Sequence, residues 1–244
     1  MTVEPENSIR EAIRDTYSKI ATRTPGVCGC SCCSNTEIEG SNEAESLRAG
    51  CGHPVNEANI KPGEVVLDLG SGAGADAFQA AKLVGPTGKV IGIDATPEMI
   101  WKARDLASKQ ALENVEFRLG EVEHLPVERD SIDLAVSNCV LNLLPDKLMG
   151  FQEIFRVLKS GGRIRISDLV TSNPVPRSKV RAESWAACVG GAVPETEYLQ
   201  LLKQAGFEDV QAVNEEACGN ECCSGQSSEI RSVAISGIKR QVSR

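Results

Sequence analysis

A chain of 244 residues, 41% of them hydrophobic, can bury a sizeable core without staples, and its length suits one large α/β domain with appendages. A formal net charge of -8 and the lack of a basic stripe argue against a nucleic-acid partner, because phosphates would be repelled, and favour a small-molecule acceptor. No apolar run approaches the ~20 residues that span a bilayer, and the acidic start Met1-Thr2-Val3-Glu4-Pro5-Glu6 lacks a signal-peptide pattern. The chain therefore reads as cytoplasmic with no membrane partner, where its ten cysteines stay reduced and are available as soft ligands.

Residues 8–21 have helical spacing, with Ile9, Ala12, Ile13, Tyr17 and Ile20 on one face. Residues 25–46 are rich in Gly, Ser, Asn and Glu and carry Cys28, Cys30, Cys32 and Cys33, which predicts a loop or a ligand-ordered segment. From residue 62 the pattern alternates. Short apolar runs at 65–69, 90–94, 115–119, 132–136 and 163–167 predict buried strands, and helical patterns at 76–83, 97–110 and 147–158 fall between them. Such alternation predicts a doubly wound α/β fold with a parallel sheet covered on both faces, whose ligands sit at the carboxyl ends of the strands. Residues 171–193 interrupt the alternation with Pro174, Pro176, Trp185 and a turn at Cys188-Val189-Gly190-Gly191. A late helix at 198–205 and closing strands at 210–213 and 232–235 complete a mainly parallel seven-stranded sheet, and Cys218, Cys222 and Cys223 lie between those last strands.

Asp68-Leu69-Gly70-Ser71-Gly72-Ala73-Gly74 sits where the first strand turns into a helix, and its glycines allow a sharp bend and close approach to a ligand. The run also fits a dinucleotide fingerprint if Ala75 takes the third glycine position. Asp94 ends the second strand, where an acid accepts hydrogen bonds from ribose hydroxyls. The bland alternative is that Asp68 and Asp94 are only turn and cap residues.

The acid two residues before the first glycine resembles the first motif of class I S-adenosylmethionine-dependent methyltransferases. That resemblance implies that Asp68 anchors the cofactor's amino group, that Gly70, Gly72 and Gly74 cradle it, and that Met99 packs beside the adenine. It also implies that Glu121 and Val122 read the adenine edge and that Asn138, after the fourth strand, is a cofactor-binding residue. Three stretches resemble the arsenite methyltransferase family more specifically. They are Ser137-Asn138-Cys139-Val140-Leu141-Asn142-Leu143, Arg48-Ala49-Gly50-Cys51-Gly52-His53-Pro54, and Trp185-Ala186-Ala187-Cys188-Val189-Gly190-Gly191-Ala192. In that family the second and third stretches carry arsenic-site cysteines, so the resemblance implies Cys51 and Cys188 as As(III) ligands, with Cys222 or Cys223 as the third thiol. It further implies S-adenosylmethionine as methyl donor and a thiol reductant such as glutathione or thioredoxin. The division expected is an N-terminal helix and Cys-rich segment at 1–60, a cofactor-binding core at 61–170, and an acceptor insertion with late helix, closing strands and Cys-rich loop at 171–244.

As(III) is soft and prefers three sulfur ligands, which leave it a lone pair able to attack a methyl group without a general base. Only two histidines are present, His53 and His124, and both read as surface or turn residues. Cys139 reads as a small buried packing residue, and the Cys28–33 and Cys218–223 clusters read either as thiols that meet near the site or as a zinc site. Two other functions fit parts of the pattern: a class I methyltransferase for a small quinone or sterol, and a thiol-rich metalloid-binding protein.

Overall fold

Val65-Val66-Leu67-Asp68-Leu69 is apolar on both strand faces apart from its acid, a composition that suits the centre of a helix-covered parallel sheet. In the computed structural model, which describes residues 6–22, 43–47, 50, 52–174, 185–186, 188–214 and 230–240, this run is strand β1 (Val65–Leu69). Parallel neighbours β2 (Lys89–Asp94) and β4 (Ile132–Asn138) flank it. Strand β3 (Val115–Leu119) lies outside β2, and β5 (Leu158–Thr171) lies outside β4. The late strands β6 (Glu208–Asn214) and β7 (Ile230–Ile238) close the sheet, with β7 antiparallel to both β5 and β6. The order is β3-β2-β1-β4-β5-β7-β6, so the direction of winding switches between β1 and β4 and opens a crevice at their carboxyl ends.

Helices cover both faces. On one side, α3 (Ala75–Val84) and α4 (Pro97–Lys109) pack Phe78, Ile100 and Leu106 against Val66, Val90 and Val136, and α1 (Glu6–Ala21) adds Ile20 and Ala21. A short helix α2 (Glu43–Ser46) joins this side through Ala44. On the other side, α5 (Lys147–Val157) and α6 (Glu195–Gln204) bury Phe151, Ile154, Tyr198 and Leu202 on Leu67, Ile164 and Ile235. Each such side chain removed from water contributes ~1.5–3 kcal/mol, which holds the layers in place. Asp146 caps α5 by accepting the Met149 N–H at 3.0 Å, and Pro97 starts α4 with the φ a first turn needs.

The mainly parallel seven-stranded sheet agrees with the sequence expectation, and two details differ. Strand β5 runs well beyond the expected 163–167, because β7 pairs with it continuously from Arg163↔Ile238 to Thr171↔Ile230. Arg163 and Arg165, expected to be exposed, are half-buried. Arg163 pairs with Glu64 at 2.7 Å and Arg165 pairs with Glu57, so their charges serve the N-terminal segment. His53 and His124 are exposed, as expected. Among the described residues no helix is long and apolar enough to cross a membrane.

Candidate active site

The crevice between β1 and β4 continues into a cavity lined by Asp68, Gly70, Gly72, Asp94, Met99, Glu121, Val122 and Asn138. Four strand ends therefore bring together residues spread over seventy positions. The glycine loop is shaped by Ser71 N–H donating to Ile93 O at 2.9 Å and Gly74 N–H to Ser71 O at 2.8 Å. Gly70 and Gly72 hold φ of 64° and 51°, the left-handed region that favours glycine. A Cβ on Gly70 would lie 2.2 Å from Val140, whereas one on Gly72 would project into the cavity toward the Met99 sulfur. Gly74 is the exception among the predicted cofactor residues. It does not line the cavity, and a Cβ there would strike the Phe78 and Phe117 rings at 2.7 and 2.8 Å, so it serves close helix-to-strand packing.

Both carboxylate oxygens of Asp94 accept backbone N–H groups: Oδ2 from Gly72 at 2.9 Å and Oδ1 from Thr96 at 2.8 Å. Burial pushes this carboxyl pKa up, and the same N–H bonds oppose the shift. The remaining lone pairs can accept two ribose hydroxyls. A glycine loop in which a Cβ on Gly72 would face the cavity, a buried acid at the end of β1 and a second acid at the end of β2 fit an S-adenosyl ligand.

The N-terminal helix roofs this cavity, which the sequence pattern did not reveal. Arg10, Ile13, Arg14 and Tyr17 line it at the i, i+3, i+4, i+7 spacing of one helical face. Arg10 donates to Glu121 at 3.1 Å and to the buried Glu123 at 2.9 Å, pinning the helix across the mouth.

Cys188 is buried beside the same cavity. Its thiol donates to the Cys139 carbonyl at 2.9 Å, and the Tyr17 hydroxyl lies 3.8 Å from its sulfur. Burial pushes the Cys188 thiol up to about 12, Asp168 adds to the shift, and Tyr17 and Lys147 oppose it. Asp168 is itself buried at the end of β5 and accepts from Asn142 at 2.8 Å and Tyr198 at 3.1 Å, with its carboxyl raised to about 6, chiefly by desolvation. This network holds the single 3-10 turn at Leu141–Leu143 beneath the Cys188 turn, where Trp185 donates to Leu143 O at 3.0 Å.

Cys139 is buried, as expected of a small packing residue, and clusters with Leu169, Cys188 and Ala192. It also lines the cavity, adopts φ 59°, carries the carbonyl that receives the Cys188 thiol, and is disulfide-bonded. Cys188 also sits at positive φ, 64°. A left-handed backbone at a non-glycine residue costs about 1–2 kcal/mol, and Asn59, Ala111, Asp130 and Asp209 adopt it as well. A position one residue past the end of β4, on the ligand side of the sheet, is the signal that marks Cys139. Cys51, Cys222, Cys223, Cys218 and the Cys28–33 cluster lie outside the described residues, as does any zinc site they would form.

Sheet order and strand-end site together define a class I S-adenosylmethionine-dependent methyltransferase. A methyltransferase-domain family model matches residues 60–206. An arsenite methyltransferase of Halobacterium salinarum is 44% identical over 232 residues, 85% of this chain and 59% of that protein. The crystal structure of an arsenic(III) S-adenosylmethionine methyltransferase from Chlamydomonas reinhardtii superposes with a TM-score of 0.68 at 32% identity, covering 95% of this chain and 74% of that one. A demethylmenaquinone methyltransferase of Lactobacillus johnsonii is 32% identical over 62% of this chain and 70% of its own length. With 44% and 32% identity to arsenic methyltransferases over most of its length, the chain belongs to the arsenite methyltransferase family. It spans 59% and 46% of the archaeal and mouse relatives it matches.

Proposed function

We propose that this chain methylates trivalent arsenic with S-adenosylmethionine in the cytoplasm. The observation that carries the reading is the meeting of Cys188 and Cys139 at the wall of the cavity that Asp68, Gly72 and Asp94 define. Asp68 and Asp94 would hold the cofactor's amino group and ribose, and Met99 and Val122 its adenine. When bound, the cofactor supplies an electrophilic methyl group on a sulfonium sulfur.

Arsenite enters as substrate. Each As–S bond forms as a thiol proton and an arsenite hydroxyl leave together as water, and three sulfur ligands leave arsenic the lone pair that acts as nucleophile. Because each thiol proton leaves with a hydroxyl, a thiol held neutral by burial, such as Cys188, remains competent. Cys188 and Cys51 are the first two ligands. The third ligand is Cys222 or Cys223, and Cys139, whose carbonyl receives the Cys188 thiol, is a further cysteine at the cavity wall. Ile13, Tyr17 and Leu143 shield the cavity from water, which strengthens the field acting on a charged cofactor. The disulfide at Cys139 supports a need for a thiol reductant such as glutathione or thioredoxin to open the site.

The test is arsenic speciation by chromatography with elemental detection after incubation with cofactor, arsenite and glutathione, with cofactor binding followed by calorimetry. Cys188→Ser is expected to retain cofactor affinity and lose methylarsenic production, because a hard hydroxyl poorly replaces a soft ligand. Wild-type methylation by this variant would defeat the site assignment, and methylation of a quinone instead of arsenite by the native chain would defeat the substrate.

A further inference from the structure

Asn138 ends β4 and faces the cavity, but the groups on its side-chain amide are taken by the protein. Its Oδ1 accepts the Gly52 N–H at 3.1 Å, and its Nδ2 donates to Gly52 O at 2.9 Å and to Asp76 Oδ2 at 3.1 Å. Rotating the amide by half a turn would set its hydrogens against the Gly52 N–H and its oxygen against a carbonyl and a carboxylate, so one orientation alone satisfies all three contacts. The two-point exchange with Gly52 copies the pairing of adjacent antiparallel backbones.

Gly50 approaches the same amide from the other side. A Cβ there would lie 2.2 Å from Asn138 Cγ and within 2.4 Å of its oxygen and nitrogen, so only a residue without one lets the backbone pass. Asn138 thus touches both covalent neighbours of Cys51. The next residue along β4 is Cys139, whose N–H donates to Ser167 O at 2.8 Å and whose carbonyl receives the Cys188 thiol. Gly50, Gly52, Cys139 and the Cys188 thiol therefore meet at the end of one strand.

We propose that Asn138 is the positioning residue of the acceptor site: its amide clamps the backbone at Gly50 and Gly52, the covalent neighbours of Cys51, against the strand end that leads into Cys139 and meets the Cys188 thiol. On this account it is not a cofactor ligand, although it borders the cofactor cavity. The proposal rests on the arsenic-thiol reading of the site. Three soft ligands bind one atom well only when their spacing is set beforehand, and a displacement of about 1 Å can cost ~100-fold in rate. A short, rigid, doubly bonded amide sets that spacing better than a flexible loop contact.

The experiment uses the full chain and three variants. Asn138→Ala removes the clamp. Asn138→Asp keeps the acceptor for Gly52 N–H, loses the donor to Gly52 O, and faces the Asp76 carboxylate with like charge. Gly50→Ala keeps the amide and pushes segment 50–52 away from it. Calorimetry reads cofactor affinity, initial rates read the arsenite and cofactor KM values separately, and hydrogen exchange reads the peptide that contains Gly52. All three variants should raise the arsenite KM or lower kcat by at least ~10-fold while the cofactor KM and Kd change less than ~2-fold. Exchange at the Gly52 peptide should accelerate by ~10-fold, the scale of one lost hydrogen bond.

A cofactor Kd weakened ~10-fold or more by Asn138→Ala would show Asn138 to be a cofactor ligand and overturn the proposal. Wild-type arsenite kinetics despite faster exchange would also overturn it. If Asn138→Ala does not fold, Gly50→Ala decides by the same readouts. Should the native chain make no methylarsenic, the arsenic reading fails, and exchange and cofactor affinity still report whether Asn138 holds segment 50–52 and not the cofactor.

Discussion

Gly191 offers a sharp test of how the acceptor turn is held. A Cβ at this position would lie 1.9 Å from the Asn142 carbonyl oxygen and 3.0 Å from Trp185 Nε1. Real Cβ contacts essentially never fall below 3.0 Å, so Gly191→Ala forces a separation of about 1.1 Å between the turn that carries Cys188 and the 3-10 turn beneath it. Asn142 cannot give way readily, because its amide is buried and bonded to Asp168 at 2.8 Å and to Leu169 O at 2.7 Å. The Cys188 turn must move instead, taking its sulfur away from Cys139. A misplacement of about 1 Å at a reacting group costs ~100-fold in rate, or about 2.7 kcal/mol of activation free energy. Gly191 lies outside the cofactor cavity, so cofactor affinity should hold. Initial rates of methylarsenic formation at saturating cofactor, with calorimetry alongside, make the measurement. A variant that methylates arsenite at the native rate would refute the idea that the Cys188 turn is positioned by its contact with Asn142.

Asp94→Ala should weaken S-adenosylmethionine binding by roughly 1.5–3 kcal/mol, the scale of hydrogen bonds to a charged group, and calorimetry should find no NAD binding in the native chain. Binding of NAD alone would overturn the cofactor reading. Asp168 should tie stability to pH. Its folded pKa of about 6 lies above the unfolded value near ~3.9, so the folded state favours the protonated form. That contribution is fully present below about pH 3.9 and is lost as pH rises through about 6. Asp168→Asn removes the slope, so the variant's stability relative to the native chain should rise by roughly 2 kcal/mol between pH 4 and 7, as read from denaturant unfolding. A difference that stays flat over that range would refute the buried-carboxylate account.

Much of this protein is legible in one dimension. Buried strands such as 65–69 and 90–94 declare themselves because a strand covered on both faces must be apolar throughout, and the helices between them have a different period. Asp68, Gly70, Gly72 and Asp94 could be found because the strand-end rule converts sequence position into spatial position wherever strand and helix alternate. The same rule applied one residue beyond Asn138 would have marked Cys139. Gly74 followed the spacing of a cofactor glycine, yet its space is filled by Phe78 and Phe117.

Local periodicity and chain direction are enough to specify the alternation, the sheet's interior and the acids at its strand ends. Tertiary structure alone decided which distant segments share the acceptor site. Tyr17 reaches Cys188 across 171 positions, Arg10 reaches Glu121 and Glu123 across more than 110, and Asn138 reaches back 86 to Gly52. Contacts of that separation carry no periodic signature. They exist because a wound sheet brings its loops to one edge, where a short polar side chain can satisfy backbone groups that no neighbour in sequence could reach.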